Sequence, residues 1–322
     1  VLSMATNGMQ EGAAQANPDL NETCCTYNLL KLTKDLNAYN PDNAAYMDYY
    51  ERGLYNQIVG SLNPDKYQTT YQYAVGLNAT KPFGNETPQS TCCGGTGSEN
   101  HTKYQQATYF HNDSTLWVGL YMPTTLRWAD KQLTLTQDCA WPAERSVIRV
   151  DRGEGDFALK LRVPYWATSS FKVLLNGKIV QKHYQPSSYV TIPYRHWTTA
   201  DRVEVVMPFT IHIEYGMDKL PAEVASADGT PLQSAWTGVV MAGPLCMTGT
   251  GAATWRQATL STDAIEKAIV VPAQGQEPLT VMIDGKRFEP DYYRNVHSTH
   301  YYRLESAGGA DRSRNTNRRA DL

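Results

Sequence analysis

The chain has 322 residues, 41% of them hydrophobic and 19% charged, a length and balance that suit two or three packed domains rather than a disordered chain. Its formal charge of −3 leaves no basic excess to neutralise phosphates, so a nucleic-acid partner is not expected, and no apolar run reaches the length that spans a bilayer. The 21 tyrosines and 7 tryptophans suit carbohydrate-binding surfaces and β-sandwich cores alike.

The first residues, "VLSMATNGMQ", contain neither an initiator methionine nor the basic start and apolar core of a signal peptide. They read as a mature chain, a processed fragment or the ordered part of something longer. Five sequons, at Asn21, Asn78, Asn85, Asn100 and Asn112, all fall before residue 115. They point to a secreted glycoprotein, the other reading being that none carries a glycan. "CTYNLLKLTKDLNAY" predicts a helix with Leu29, Leu32 and Leu36 on one face and Leu30 flanking it. "PDNAAYMDYYERGLYNQIVGSL" predicts a second, with Asp42 as its cap and Tyr46, Tyr50, Leu54 and Ile58 at a spacing of four. "YQTTYQYAVGL" reads as extended, and "GSENHTKYQQATYF" as a third helix capped by Ser98.

After residue 115 alternation takes over. "STLWVGLYM", "KQLTLTQ", "SVIRVDR", "FALKLRVPYW", "FKVLLNGKIV", "YVTIPYRHW" and "RVEVVMPFTIHIEY" read as strands, and Asn176-Gly177 signals a hairpin turn. So many short strands imply a β-sandwich. "SAWTGVVMAGPLCM" and "PLTVMIDGKRF" open a second β-rich part, and the polar tail reads as frayed. The expected division is a helical unit over 1–115, a β-sandwich over 116–215 and a second β-rich unit over 216–322. The helices are too few to bury their own faces and read as the end of a larger helical domain.

Four of the six cysteines form two doublets, Cys24-Cys25 and Cys92-Cys93. The residues alone leave three readings open: disulfides between the doublets, inert buried thiols, or a metal site. Vicinal cysteines rarely bond to each other, because the short ring is strained. For a metal, Glu22 lies two residues before Cys24, a spacing that separates side chains within a helix but lets both face one ion in the extended turn before it. Gly94, Gly95 and Gly97 follow Cys92-Cys93 and permit unusual dihedrals, so that the adjacent thiolates can converge on one zinc ion. Cys139 and Cys246 match no ligand pattern and read as buried free thiols or as a pair. Glu51 cannot face Arg52, its neighbour, and is expected to pair elsewhere or to lie near the site. Glu99 reads as a carboxylate at the start of the third helix. His101, beside the second doublet, reads as a hydrogen-bonded residue.

The blocks "ETCCTYNLLKLTKDLNAYNPDNAAYMDYYERGLYNQIVGS", "CCGGTGSENHTKYQQATYF", "LWVGLYMPTTLRW", "LKLRVPYWA" and "VVMAGPL", in this order, resemble the β-L-arabinofuranosidase-type glycoside hydrolases (the DUF1680 group, families 127 and 146). The resemblance covers most of residues 20 to 250. It implies the C-terminal portion of a catalytic (α/α)6 barrel followed by two β-sandwich domains, with an upstream chain or segment completing the barrel. It implies zinc bound by Glu22, Cys24, Cys92 and Cys93, with Cys92 as the nucleophile of a retaining hydrolysis of β-L-arabinofuranosyl or related carbohydrates. It gives Cys25 no role. It implies a general acid upstream of E-T-C, where "ATNGMQEGAAQ" offers Glu11; an exposed loop carboxylate is the other reading of that residue. A non-catalytic secreted glycoprotein that keeps the fold, such as a wall or assembly component, is the competing function.

Overall fold

The computed structural model describes residues 21–305 except 64, 85–90, 143, 182, 273 and 275–277. Two helices, a short hairpin and a third helix precede the long run of strands. Helix α1 (Thr23–Tyr39) starts from the extended backbone of Glu22 and ends before Pro41, since proline cannot continue a helix. Helix α2 (Ala44–Gly53) runs on through a wide turn at Leu54–Ile58 and a tight one at Val59–Ser61. Its cap is Asn43, whose side chain accepts from Ala45 N–H at 3.3 Å, not the expected Asp42. Asp42 instead accepts from the Trp117 indole at 2.8 Å and pairs with Lys160. Helix α3 (Cys92–Asn100) begins six residues before the expected Ser98 cap, because Thr91 accepts from Gly94 N–H and closes the first turn.

The spacing of four in α2 holds: Tyr50, Leu54 and Ile58 are buried. The face expected of α1 does not. Leu32 and Leu36 are exposed, while Tyr27, Leu30, Thr33 and Asn37 face inward. Packing against α2 decides this: a Cβ on Gly53 would lie 2.9 Å from the Leu30 side chain, so glycine there lets Leu30 seat between the helices. No helix among the described residues is long and apolar enough to cross a membrane.

The strands begin with a short hairpin, β1 (Leu62–Asn63) and β2 (Gln68–Thr69). Ten strands then form two sheets: β3 (Tyr109–His111), β4 (Thr115–Val118), β5 (Thr124–Trp128), β6 (Leu133–Asp138), β7 (Arg145–Arg152), β8 (Gly155–Val163), β9 (Lys172–Leu175), β10 (Lys178–Ile179), β11 (Ser188–Trp197) and β12 (Arg202–Val206). The six-stranded order is β10-β9-β12-β7-β6-β5 and the four-stranded order is β11-β8-β4-β3. Alternation makes each strand half-buried, and inward residues of both sheets, such as Val173, Val205 and Ile148 with Leu116, Leu159 and Leu161, share one apolar core. Asn176 and Gly177 both take positive φ, +49° and +79°, as the two-residue hairpin between β9 and β10 requires.

The third sheet has nine strands, among them β13 (Ile211–Leu220), β14 (Ala235–Ala242), β15 (Leu245–Thr250), β16 (Thr259–Ser261), β17 (Ile269–Val271), β18 (Thr280–Ile283), β19 (Lys286–Pro290), β20 (Ser298–Thr299) and β21 (Tyr302–Glu305). Strand β13 pairs along β14, so the expected division at 215/216 falls within a strand of this sheet. Its apolar face and the helices form a single core that includes Tyr27, Leu30 and Ile58 with Val240, Met247 and Phe288. The wide turn after α2 plugs into the β14–β15 hairpin: Asn56 donates to the Pro244 carbonyl at 2.8 Å and accepts from Cys246 N–H at 2.6 Å.

Candidate metal centre

The two doublets meet. The donor atoms of Glu22, Cys24, Cys92 and Cys93 all lie within 4.8 Å of one another. Two helix starts bring them together. Glu22 is the extended residue before α1 and Cys24 lies in its first turn, so the two-residue spacing places both side chains on one point. Cys92 and Cys93 occupy the first turn of α3. The glycines expected to form a loop are helical, and Gly94, Gly95 and Gly97 take no left-handed backbone. At Gly97 the requirement is a close approach instead, since a Cβ there would meet the Thr69 hydroxyl at 3.0 Å.

Within the cluster, the Cys24 thiol lies 3.4 Å from Glu22 Oε2 and 3.4 Å from Cys92 Sγ, and Cys92 Sγ lies 3.9 Å from Glu22 Oε2. Cys93 Sγ accepts from Cys24 N–H at 3.5 Å. Burial separates the thiols into two kinds. Cys24 and Cys93 are buried, and burial raises the pKa of each. Cys92 is exposed, and its pKa is drawn down by hydrogen bonds from the Tyr71 hydroxyl and from Cys24. Its place at a helix N-terminus favours the thiolate further.

Tyr71 was not singled out by its sequence context, one tyrosine in a segment that reads merely as extended. Its hydroxyl lies 3.3 Å from Glu22 Oε1 and 3.6 Å from Cys92 Sγ. The donor set suits a metal ion: three thiols and one carboxylate converge, and these are donor types that protein-bound metals take. All six cysteines are free.

The other sequence candidates fall elsewhere. Glu11 and Asn85 lie outside the described residues. Asn78 and Asn112 are exposed, whereas Asn21 and Asn100 are buried, a position that keeps a bulky glycan from the side-chain amide. His101 hydrogen-bonds the Tyr104 hydroxyl at 2.5 Å. Glu99, expected at a helix start, stands in the last turn of α3 and pairs with Lys103. Glu51 is buried and pairs with Arg162 at 2.5 Å and with the Trp166 indole at 2.9 Å, as its mismatch with Arg52 requires. Arg52 reaches Glu214 on β13.

Residues 7–106 match the family model of the β-L-arabinofuranosidase GH127 catalytic domain, and residues 115–209 match that of the GH127 middle domain. Together the matches span more than half of the chain, and the chain belongs to this family. Solved structures share its fold, three of them as follows. One described as a glycoside hydrolase has a TM-score of 0.71 at 19% identity, over 90% of this chain and 53% of its own. A GH127 β-arabinofuranosidase gives 0.70 at 18% identity, over 90% and 50%. A GH127 β-L-arabinofuranosidase from Geobacillus stearothermophilus T6 gives 0.64 at 17% identity, over 90% and 51%. The chain thus spans about half the length of each. No curated protein matches the sequence.

Proposed function

We propose that this chain is the C-terminal portion of a secreted, retaining glycoside hydrolase that removes β-L-arabinofuranosyl or related sugars, with Cys92 as its nucleophile. The observation that carries the reading is the division among the thiols: Cys24 and Cys93 are buried, while Cys92 is exposed beside Tyr71 and Glu22. Glu22, Cys24, Cys92 and Cys93 would hold zinc, which when bound supplies the positive charge that keeps the thiols ionised. Four protein ligands ordinarily make a closed structural site. Here the exposed Cys92 is the ligand free to turn towards a sugar, while the buried pair stays in place.

The residues then divide the work of a two-step displacement, with sulfur replacing the usual carboxylate nucleophile. Cys92 Sγ attacks the anomeric carbon as the glycosidic C–O bond breaks. The leaving oxygen takes a proton from a general acid, for which Glu11 is the proposed residue. Water, deprotonated by the same carboxylate, then attacks the thioglycosyl carbon and releases Cys92 as thiolate. Tyr71 holds the nucleophile between attacks by its hydrogen bond to Sγ.

We also propose that residues 1–115 close an (α/α)6 barrel completed by an upstream chain or segment. Residues 116–215 would hold a β-sandwich, which the shared core of the two sheets supports, and 216–322 a second β-rich domain, to which the whole of β13 belongs by its pairing with β14. The proposed location is extracellular, with glycans on Asn78 and Asn112 in preference to the buried Asn21 and Asn100.

The test is Cys92→Ala in the natural full-length material, assayed on an aryl β-L-arabinofuranoside with zinc measured by elemental analysis. Turnover is expected to fall by at least about a thousandfold, as for the loss of other catalytic nucleophiles. Full turnover in the variant would sink the hydrolase mechanism. Absence of zinc together with oxidised doublets in the native material would favour the non-catalytic glycoprotein.

A further inference from the structure

A second buried polar cluster lies outside the metal centre, where the third sheet meets the segment between α2 and α3. Asp291 follows β19 and is almost fully buried, as are Tyr73, Lys81 and His300. Its carboxylate accepts from the Tyr73 hydroxyl, hydrogen-bonds His300 Nε2 at 2.7 Å and faces the Lys81 ammonium at 3.6 Å. Lys81 also donates to the Asp291 carbonyl at 2.6 Å. Burial works against the Asp291 charge, but Lys81, His300 and Tyr73 outweigh it and hold the carboxyl down at about 2. Gly60 leaves room for the Tyr73 hydroxyl, since a Cβ there would lie 2.1 Å from it.

The same segment has two hydrogen-bonded margins. On one, Gly76, Ala79 and Lys81 exchange backbone bonds of 2.7–2.9 Å with His300, Ser298 and Asn295. On the other, Tyr73 N–H donates to the Asn21 carbonyl at 2.8 Å and Thr23 N–H to the Tyr71 carbonyl at 3.2 Å, flanking the Glu22–Gln72 bridge. Glu22, which with Tyr71 meets Cys92, is therefore bridged to Gln72, the residue between Tyr71 and the Tyr73 that is bonded to Asp291.

We infer that Asp291 is a positioning residue for the Glu22–Cys24–Cys92–Cys93 centre, acting through Tyr73 on the short pairing of Tyr71–Tyr73 with Asn21–Thr23 that holds Glu22 and Tyr71. The third sheet thereby sets the geometry of a site to which it contributes no donor atom. The inference rests on the reading of that centre as a metal site.

The test titrates the full chain with cobalt(II), following the thiolate-to-cobalt absorption band, in wild type, Asp291→Asn, Tyr73→Phe and Asp201→Asn. Asp201 is a buried aspartate in the turn between β11 and β12, bonded to Asn176, Arg195 and Thr198, and controls for general loss of stability. The cobalt Kd is expected to rise about tenfold for Asp291→Asn and about threefold for Tyr73→Phe, the range of couplings carried through packed networks, with no change for Asp201→Asn. Wild-type affinity in both Asp291→Asn and Tyr73→Phe overturns the positioning role and leaves the metal reading standing, as does equal weakening in Asp201→Asn. Absence of a cobalt–thiolate band in wild type overturns the metal reading itself, and the inference with it. Tyr73→Phe keeps the test open should Asp291→Asn fail to fold.

Discussion

The middle sheets and the helical segment solve the problem of burial differently. The six- and four-stranded sheets share an apolar core rich in Leu, Ile, Val, Phe and Trp side chains. The helices share their core with the third sheet and leave Leu32, Leu36 and Tyr39 facing outward. The contacts of this segment with other elements include buried, directional polar links: from α2, Asp48 and Glu51 to Arg162; from the turn after it, Asn56 to the β14–β15 hairpin; and from the stretch before α3, Tyr73 to Asp291. Apolar burial is non-directional and holds a unit together. A buried charged hydrogen bond adds little net stability but is costly to break. The difference between the regions is thus one between cohesion and placement, and the candidate metal centre lies in the region that is placed.

The largest test of that difference is Arg162→Met. Arg162 on β8 is fully buried between Asp48 and Glu51 of α2. Removing the cation leaves two buried carboxylates unpaired, at a cost of about 3–5 kcal/mol, read as a fall in the urea midpoint. Restoring apolar balance with Asp48→Asn and Glu51→Gln should recover most of the loss. A single variant as stable as wild type would show that the link does not hold the two regions.

Leu30→Ala comes next, at about 2–5 kcal/mol for a buried leucine in a well-packed site. If the middle sheets are a separate cohesive unit, calorimetry of this variant shows the transition of the helices and third sheet lowered and that of the middle sheets in place. A single transition that moves as a whole would break the comparison.

Acid probes the placed region more gently. Burial lowers the pKa of His101 and of His212 from 6.5 to about 4. The unfolded chain therefore binds more protons than the folded one between these values. Each histidine contributes stability that is full above about pH 6.5 and is lost as the pH falls towards 4, at up to about 1.4 kcal/mol per pH unit. Asp291, held at about 2 against an ordinary 3.8, extends the loss below pH 4. Replacing His101 by Gln should flatten the upper part of the profile; an unchanged slope between pH 6.5 and 4 would count against its buried, neutral state.

The two regions also differ in how far their sequences could be read. In the middle sheets each strand records its own burial by alternation, and Asn176-Gly177 marks its turn without reference to anything distant. In the helical segment the deciding partners are remote. Gly53 settles which face of α1 is buried, and Thr91 starts α3 through three glycines that by propensity would resist a helix. For Glu22, Cys24, Cys92 and Cys93 the residues alone left disulfides, inert thiols and a metal site open, and the family resemblance singled out the four as a set; the start of α3 at Cys92, which brings the second doublet to the first, was hidden by the glycines that follow it. Tyr71 was not legible, because nothing in "YQTTYQY" marks one hydroxyl as the neighbour of a thiol 21 residues away. Asp291 is further still, 218 residues from Tyr73.

The smallest expected effect is the most pointed. Leu29, Leu32 and Leu36 form the face that periodicity alone assigns to the core of α1, yet Leu32 is 54% exposed and Leu36 41%. In this chain Leu32→Ala should shift stability by no more than about 0.5 kcal/mol, as at other exposed positions, against several times that for Leu30→Ala. In full-length material the same substitution distinguishes two origins of the stripe. A segment that completes a helical barrel would cover Leu32 and raise the cost towards that of a buried leucine, about 2–5 kcal/mol. A stripe left in solvent would keep the cost near zero. The ratio of the two measurements, chain against full-length protein, therefore reports whether the exposed leucines of α1 are an interface between barrel helices or merely a solvated face.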